Sequence, residues 1–516
     1  MKLNYKRTVF VGFAFFLICA FWQAYDNTIP LILTNKFGLS QTASGVVMAL
    51  DNILALFMLP LFGSISDRCR HRLGRRTPFI LAGTLVAAIA FVCLSFADNM
   101  QLKSIERVST IDDPSALTEI YRAEKDAVLQ TPDGVSFQLS RLCSEADFTA
   151  IRSQMPDAAG KSVSNPQYTN YVVPARQAYA WNVTASKPLP LILFMLLLLL
   201  VLVAMSTFRS PAVALMPDVT IKPLRSKANA VINLMGSAGG ILVLGLGMVF
   251  ATSAVRNSLM SYTVYFGVIA AIMLLALAVF WLKVREPRFV EEMRTESRQY
   301  GIDETDDDGS GARKLSGAER RSLTFLLASI VLWFMGYNAV TSKYSVYASN
   351  ILHKDYNLTL MIAQAAAILS YLPVGMVASK LGRKKTILAG VIMLSAAFGV
   401  ACFLRESSPT LLMNSMFALA GIGWATINVN SFPMVVELCK GGNVGKYTGF
   451  YYTASMAAQT VTPMISGFFM DHFGMTTLFP YATVFAAMAF GTMLFVMHGD
   501  NKPLAKKGLE ALNVED

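Results

Sequence analysis

Three carboxylates interrupt long apolar runs of this chain: Asp26 in Trp22-Gln-Ala-Tyr-Asp-Asn-Thr-Ile-Pro30, Asp51, and Glu437 just before Leu438-Cys439-Lys440. A charge inside an apolar span is expensive and turns toward a cavity or a partner. A carboxylate so placed can load and release a proton, or help to hold a sodium ion, which makes Asp26 and Asp51 the candidates for coupling-ion chemistry. The plainer reading makes either one an interfacial group wetted by a vestibule, and Glu437 a structural partner of nearby cations. Aromatic residues stand one helical turn from polar ones in Trp22/Asp26, Trp333/Tyr337 and Trp424/Asn428. Flat aromatic faces cover the C–H side of a pyranose, and amides and carboxylates bind its hydroxyls. Trp22, Gln23, Trp333, Tyr337, Asn338, Gln364, Trp424, Asn428 and Asn430 are therefore candidate substrate ligands, with Tyr371, Tyr451, Tyr452 and Gln459 behind them. For each, the competing role is an interface belt or a bond between helices.

The elements that must position these residues are membrane spans. With 54% hydrophobic residues in 516, the chain reads as a polytopic membrane protein rather than a set of soluble domains. Its net charge of +11 is distributed by topology. Lys and Arg crowd one set of turns, the central linker and the tail, while the short turns opposite hold only Lys36, Arg256, Lys343, Lys354 and Arg405. That asymmetry puts both termini in the cytoplasm, and no basic-aromatic motif points to nucleic acid. The first run, after Met1-Lys-Leu-Asn-Tyr-Lys-Arg7, imitates a secretory leader but continues through Trp22 and Asp26 without a cleavage pattern, so it reads as the first span. The six cysteines show no metal-ligand spacing, the four histidines are dispersed, and no complete phosphate loop of the form Gly-x4-Gly-Lys-Ser/Thr exists. Neither an enzyme nor an ATP-driven pump is indicated, and no cofactor.

Twelve spans are expected: six in residues 1–284, then a charged flexible linker over 285–321, then six in 322–516. An insert at 98–188, between spans 3 and 4, falls outside. Within it, 115–129 reads as an N-capped amphipathic helix, Ser144 to Arg152 as a second, and Pro132-Asp133-Gly134 as a turn, so a folded cap and a partly ordered loop are both open. Asn182-Val-Thr184 and Asn357-Leu-Thr359 are glycosylation sequons where the host glycosylates.

One device occurs twice. Gly63-Ser-Ile-Ser-Asp-Arg-Cys-Arg-His-Arg-Leu-Gly-Arg-Arg-Thr-Pro-Phe-Ile-Leu-Ala-Gly83 joins spans 2 and 3, and Lys380-Leu-Gly-Arg-Lys-Lys-Thr-Ile-Leu-Ala-Gly390 joins spans 8 and 9. A turn duplicated at corresponding places marks an internal repeat of the kind found in secondary transporters. Asp67 ends a helix whose dipole already carries negative charge there, so it needs a cation such as Arg68, Arg75 or Arg76, or another helix N-terminus. Gly63, one turn earlier, admits a close backbone.

The segment from Gly63 to Gly83 resembles the conserved cytoplasmic loop of the major facilitator superfamily. Its spacing, with Gly421-Ile-Gly-Trp-Ala-Thr-Ile-Asn-Val-Asn-Ser-Phe-Pro-Met-Val-Val-Glu437 in span 10, is similar to the sucrose transporters and their bacterial relatives, near the glycoside–pentoside–hexuronide:cation symporters. The resemblance implies an all-α fold of two six-helix bundles that carries a sugar by alternating access in the plasma membrane, with proton or sodium as partner, the lipid bilayer as surroundings and a monomer as the working unit. It also implies a conformational latch of Gly63, Asp67, Arg68, Gly74, Arg75 and Arg76 against the start of span 11 near Lys446 and Tyr447, with Ser379 at the weaker matching place. Ser210-Pro-Ala-Val-Ala-Leu-Met-Pro-Asp218 departs from the family, since Val213 stands where plant sucrose carriers have an arginine linked to coupling. The rival readings are an antiporter of small amphipathic molecules and a non-transporting sensor whose insert binds a ligand.

Overall fold

The computed structural model describes residues 3–156, 162–221, 224–300, 315–438 and 444–499. Numbering the long helices alone, the first half consists of α1 (Tyr5–Asn35), α2 (Gln41–Arg68), α3 (Thr77–Ser104), α4 (Leu189–Asp218), α5 (Arg225–Val249) and α6 (Thr263–Lys283). The second consists of α7 (Gly317–Tyr347), α8 (Tyr356–Leu381), α9 (Arg383–Ala401), α10 (Thr410–Glu437), α11 (Val444–Phe473) and α12 (Leu478–Leu494). Among the described residues, ten helices are long and apolar enough to cross a membrane; α8 and α11 complete the two sets of six. A helix stands at each of the twelve expected places, with most ends displaced by a few residues and α3 and α4 running well past their expected ends, to Ser104 and Asp218. Each half has its own apolar core, one around Phe21, Phe91, Phe208 and Phe266, the other around Trp333, Tyr344, Phe417 and Phe479.

Local chemistry sets the helix boundaries. The side chain of Ser40 caps α2 and that of Asp355 caps α8, while Ser316 and Glu319 form a reciprocal capping box at α7. Pro30, Pro60, Pro373, Pro433 and Pro463 lie inside helices, as neighbouring helices permit in membrane bundles. Both repeated turns break at a left-handed glycine, Gly74 with φ +113° and Gly382 with φ +92°. A Cβ at Gly74 would also lie 2.3 Å from the Glu286 carboxylate, so the turn excludes any side chain there twice over.

The insert is a folded cap. α3 runs seven residues beyond its expected end at 97, to Ser104, and the chain re-enters α4 at Leu189. Between them, Val108, Leu117, Ile120, Leu139, Phe148, Tyr168 and Val172 bury one another in a core separate from the bundles. The first helix is shorter than expected, Pro114–Glu124, and is capped by Asp113. Leu129, expected to end that helix, instead starts a hairpin (Leu129–Gln130 with Ser136–Phe137) around the Pro132-Asp133-Gly134 turn. The second helix, Glu145–Ala150, carries a capping box of Ser144 and Asp147.

The linker departs from expectation in its first part. Glu286–Gln299 is a helix held against the first half, where Arg7 donates to Glu292 at 3.3 Å and Met293 is buried with Leu3, Ile221 and Leu224. The acidic run Asp306-Asp307-Asp308 and the lysine-bearing tail lie outside the described residues. Asn357 is 1% exposed, its amide committed to Thr252 and Asp355 at 3.2 and 3.0 Å, so this folded form offers no acceptor at that sequon.

Candidate functional site

The two halves meet along α1/α7, α2/α11 and α5/α8, and the hydrogen bonds between them gather toward the end that carries the insert. A Cβ on Gly45 of α2 would lie 2.0 Å from the Pro463 carbonyl oxygen of α11, and one on Gly467 of α11 would lie 2.3 Å from the Gln41 carbonyl oxygen. The Asp471 carboxylate of α11 accepts from the backbone N–H groups of Gln41 and Thr42 at 2.7 Å each and from the Thr42 hydroxyl at 2.5 Å. An acid from one half thus caps a helix of the other. Lys343 of α7, fully buried, donates to the Gln41 carbonyl at 2.6 Å. On the third seam Ser253 donates to Asp355 at 2.9 Å, and Thr252 pairs with Tyr356 at 2.7 Å. The insert reaches the same seam from above, where the Met475 N–H donates to the Pro132 carbonyl at 2.6 Å.

Below this closed end, α1, α2 and α4 bring Asp26, Asp51 and Arg209 within electrostatic reach of one another. The Arg209 guanidinium lies 5.7 Å from the centre of the Trp22 ring, and Asn52 donates to the Asp51 carboxylate at 2.8 Å. Arg209 is the residue to which sequence reasoning assigned no role. Its type and its position one turn before Val213 were visible, but the inward turn of its side chain was not. Val213 itself is 49% exposed.

The second half presents Tyr337 and Trp424 stacked face to face, with ring centres 3.7 Å apart, and Phe334 edge-on to Trp424. Tyr337 also lies within reach of the Asp26 charge, so the aromatic pair and the carboxylates border one region. Gln23 of α1 and Gln364 of α8 converge on Gly240 of α5, where a Cβ would lie 3.4 Å from one amide and 3.0 Å from the other. Buried polar atoms of Trp22, Tyr25, Asn338 and Gln364 have no hydrogen-bond partner among the described residues, an arrangement that folding disfavours by about 1–3 kcal/mol per group.

The remaining candidates fall elsewhere. Trp333 is fully buried in the core of the second half, and Asn430 donates to the Thr426 carbonyl of its own helix at 2.9 Å. Trp333 is taken up by the core of its own half although Tyr337 lies one turn on along the same face, and Asn430, two residues from Asn428, bonds within its own helix. Asn428 is half-buried, as is Gln459, and Tyr451 pairs with Ser431 at 3.3 Å. Glu437 takes its structural role: Arg383 donates to it at 2.5 Å.

At the opposite end, the arginine-rich turn is a closed network within the first half. Arg75 and Arg76 both donate to Asp218 of α4, at 2.6 and 2.8 Å, and Arg76 also pairs with Asp67 and with Ser66. Glu286 caps α3 by accepting from the N–H groups of Arg75 and Thr77 at 2.8 Å and of Arg76 at 3.0 Å. Gly63 faces Ser210 of α4, at 2.9 Å from a virtual Cβ, rather than the other half. Arg68 is exposed. Asp67 is 57% exposed and pairs with Arg76, so in this conformation the latch residues hold α2, α3 and α4 together. The side chains of Lys446 and Ser379 lie outside the described residues. The repeat extends to chemistry: Arg75 with Asp218 at the end of α4 corresponds to Arg383 with Glu437 at the end of α10.

Two six-helix halves closed over a polar and aromatic midplane, with matched Arg–carboxylate turns, define a membrane transporter of the two-bundle kind. The Major Facilitator Superfamily model matches residues 11–105, 178–363 and 350–512, and the chain belongs to that family. Most of the insert lies between the first two matched segments. The chain is similar to "Sucrose transport protein SUC4" of Arabidopsis thaliana, at 32% identity over 65 residues, covering 13% of each protein, and to "Sucrose transport protein SUT3" of Oryza sativa subsp. indica, at 32% over 71 residues and 14% of each. These matches span about a seventh of the relatives' length. In structure it is similar to the xylose transporter XylE from E. coli in its inward-open conformation, with TM-score 0.57, 15% identity and 99% of both chains covered. It is also similar to the nucleoside transporter NupG, with TM-score 0.52, 12% identity, and 96% and 100% covered. These likenesses carry the fold.

Proposed function

We propose that the chain is a proton-coupled symporter of a sugar, a glucoside or other oligosaccharide, working by alternating access in the plasma membrane with both termini in the cytoplasm. The observation that carries the reading is the convergence of Asp26, Asp51 and Arg209 beside Trp22 and the Tyr337–Trp424 stack. The aromatic faces suit the C–H side of a sugar ring, and the unpaired indole, phenol and amide groups suit its hydroxyls. Two carboxylates sharing one guanidinium leave one negative charge in excess, which a proton neutralises; sodium is the competing ion. The similarities to sucrose and xylose carriers support a saccharide.

In this account the conformation is the inward-facing one, closed under the insert and released at the arginine-rich turns. Protonation from outside and sugar binding neutralise and bridge the midplane, the halves rock, and both leave toward the cytoplasm. Asp26→Asn keeps shape and hydrogen bonding while removing titration. In proteoliposomes it is expected to abolish uphill uptake driven by a pH gradient while sparing exchange of labelled sugar. Parent-like accumulation by both Asp26→Asn and Asp51→Asn would refute carboxylate coupling, and a sodium gradient applied separately identifies the ion.

A further inference from the structure

Where the insert joins the membrane helices, a cavity of about 590 Å³ opens between the last turn of α3 and the first of α4. It is lined by Lys103 and Ser104 on one side, by Lys187, Pro188 and Leu189 on the other, and by Met100 and Ile192 toward the bundle. Leu189 is 65% exposed, Ile192 51% and Met100 38%, on helices whose other exposed side chains, such as Phe96 and Leu196, are those of a lipid-facing surface. Lys103 and Lys187 are both exposed, and no ion pair with a described residue is recorded for either. Eighty-four positions apart in sequence, the two lysines line one largely apolar recess.

We propose that this cavity binds an anionic phospholipid, its phosphodiester and glycerol headgroup between Lys103 and Lys187 and its acyl chains along Met100, Leu189 and Ile192. The site demands an amphiphile. A free anion would satisfy the lysines and leave the apolar wall against water, and a zwitterionic lipid would bring a third cation to a place that already has two. Lysines at span ends do reach toward the interface on their own. What distinguishes this pair is that both line one cavity at the ends of two apolar helices, and neither forms an ion pair with a described residue. A basic side chain near an anionic surface contributes about 1 kcal/mol, roughly fivefold in affinity, so the pair is expected to favour an anionic headgroup by roughly 25-fold. Because these two segments are the chain connections into the insert, a lipid seated here braces the base of the cap.

Native mass spectrometry of the full chain tests this, with phosphatidylglycerol and phosphatidylcholine of identical acyl chains titrated separately and inorganic phosphate as a third arm. The parent is expected to retain one phosphatidylglycerol beyond the background. The Lys103→Gln/Lys187→Gln pair is expected to lose it by about 25-fold in affinity, while the double Lys→Arg variant and Lys354→Gln, elsewhere on the same face, keep it. Equal retention of the two lipids by the parent would overturn the proposal. So would equal phosphatidylglycerol retention by the parent and the Gln pair, or phosphate binding that survives without lipid. Thermal unfolding of each variant in detergent separates loss of the site from loss of the fold, and the arginine pair reports on charge alone.

Discussion

Asp471 is the contact on which closure under the insert leans hardest, because its carboxylate belongs to one half and the helix end it caps belongs to the other. Replacing it with alanine removes three hydrogen bonds that exist only while α2 and α11 touch at this end. Each bond to a charged acceptor contributes about 1.5–3 kcal/mol, but the three share one carboxylate, and water replaces them when the halves part. Losing a helix cap typically costs about 0.5–2 kcal/mol. A combined bias of about 2–3 kcal/mol follows, equivalent to a shift of roughly 30- to 150-fold toward the state open on the insert side. Lys343 adds to the shift, since it would be left buried with a neutral carbonyl and no nearby acid. Asp471→Asn keeps one acceptor oxygen and is expected to move the balance less. The readout is labelling of Ser44→Cys, a position with no exposure at this seam, by a maleimide that does not cross the membrane, in a background lacking the native cysteines. Labelling should rise from parent to Asp471→Asn to Asp471→Ala. Equal rates in all three, in protein that unfolds at the parent's temperature, would show that the cap does not govern closure.

The close crossing of the same helices makes a second expectation: Gly45→Ala, whose Cβ would meet the Pro463 carbonyl at 2.0 Å, should block closure and raise the same labelling, whereas Gly267→Ala, with nothing within 4 Å, should leave it unchanged. At the other end, Glu286→Ala should uncap α3 and lower thermal stability by about 1–2 kcal/mol, with faster hydrogen exchange at the start of α3; unchanged protection there would remove Glu286 from the account.

The architecture was legible because its signals are long and redundant. Runs of apolar residues mark spans, and Leu73-Gly-Arg75 and Leu381-Gly-Arg383 mark the repeat, down to the left-handed glycine each turn requires. Glu437 reads as a structural acid from the cations beside it, and the structure adds that Asp218 holds the matching place in the first half. The central region was legible in residue type but not in direction. Trp333 and Tyr337 are one turn apart, yet the first is core and the second stacks on Trp424, a division that the packing of α7 decides and that no local pattern records. Arg209 escaped because the family pattern drew attention to Val213, and the interlocking of α4 with α1 is a tertiary fact. The latch was read as a contact between halves, whereas here Asp67 pairs with Arg76 and Gly63 faces Ser210; a chain that alternates between conformations writes both sets of partners into one sequence.

The hairpin of the insert ends on the turn between α11 and α12: the Met475 N–H meets the Pro132 carbonyl, and a Cβ at Gly474 would strike Asp133 at 2.5 Å. Since the cap is spliced into α3 and α4 and Gln177 ties it to Asn35 at 3.0 Å, it must travel with the first half whenever the halves move. Under the proposed alternating access, the Pro132–Met475 junction is a seam that slides or parts once in every turnover. An antibody fragment or macrocycle that straddled it would act as a brake on the moving machine, applied from the aqueous side and without touching the path of the solute.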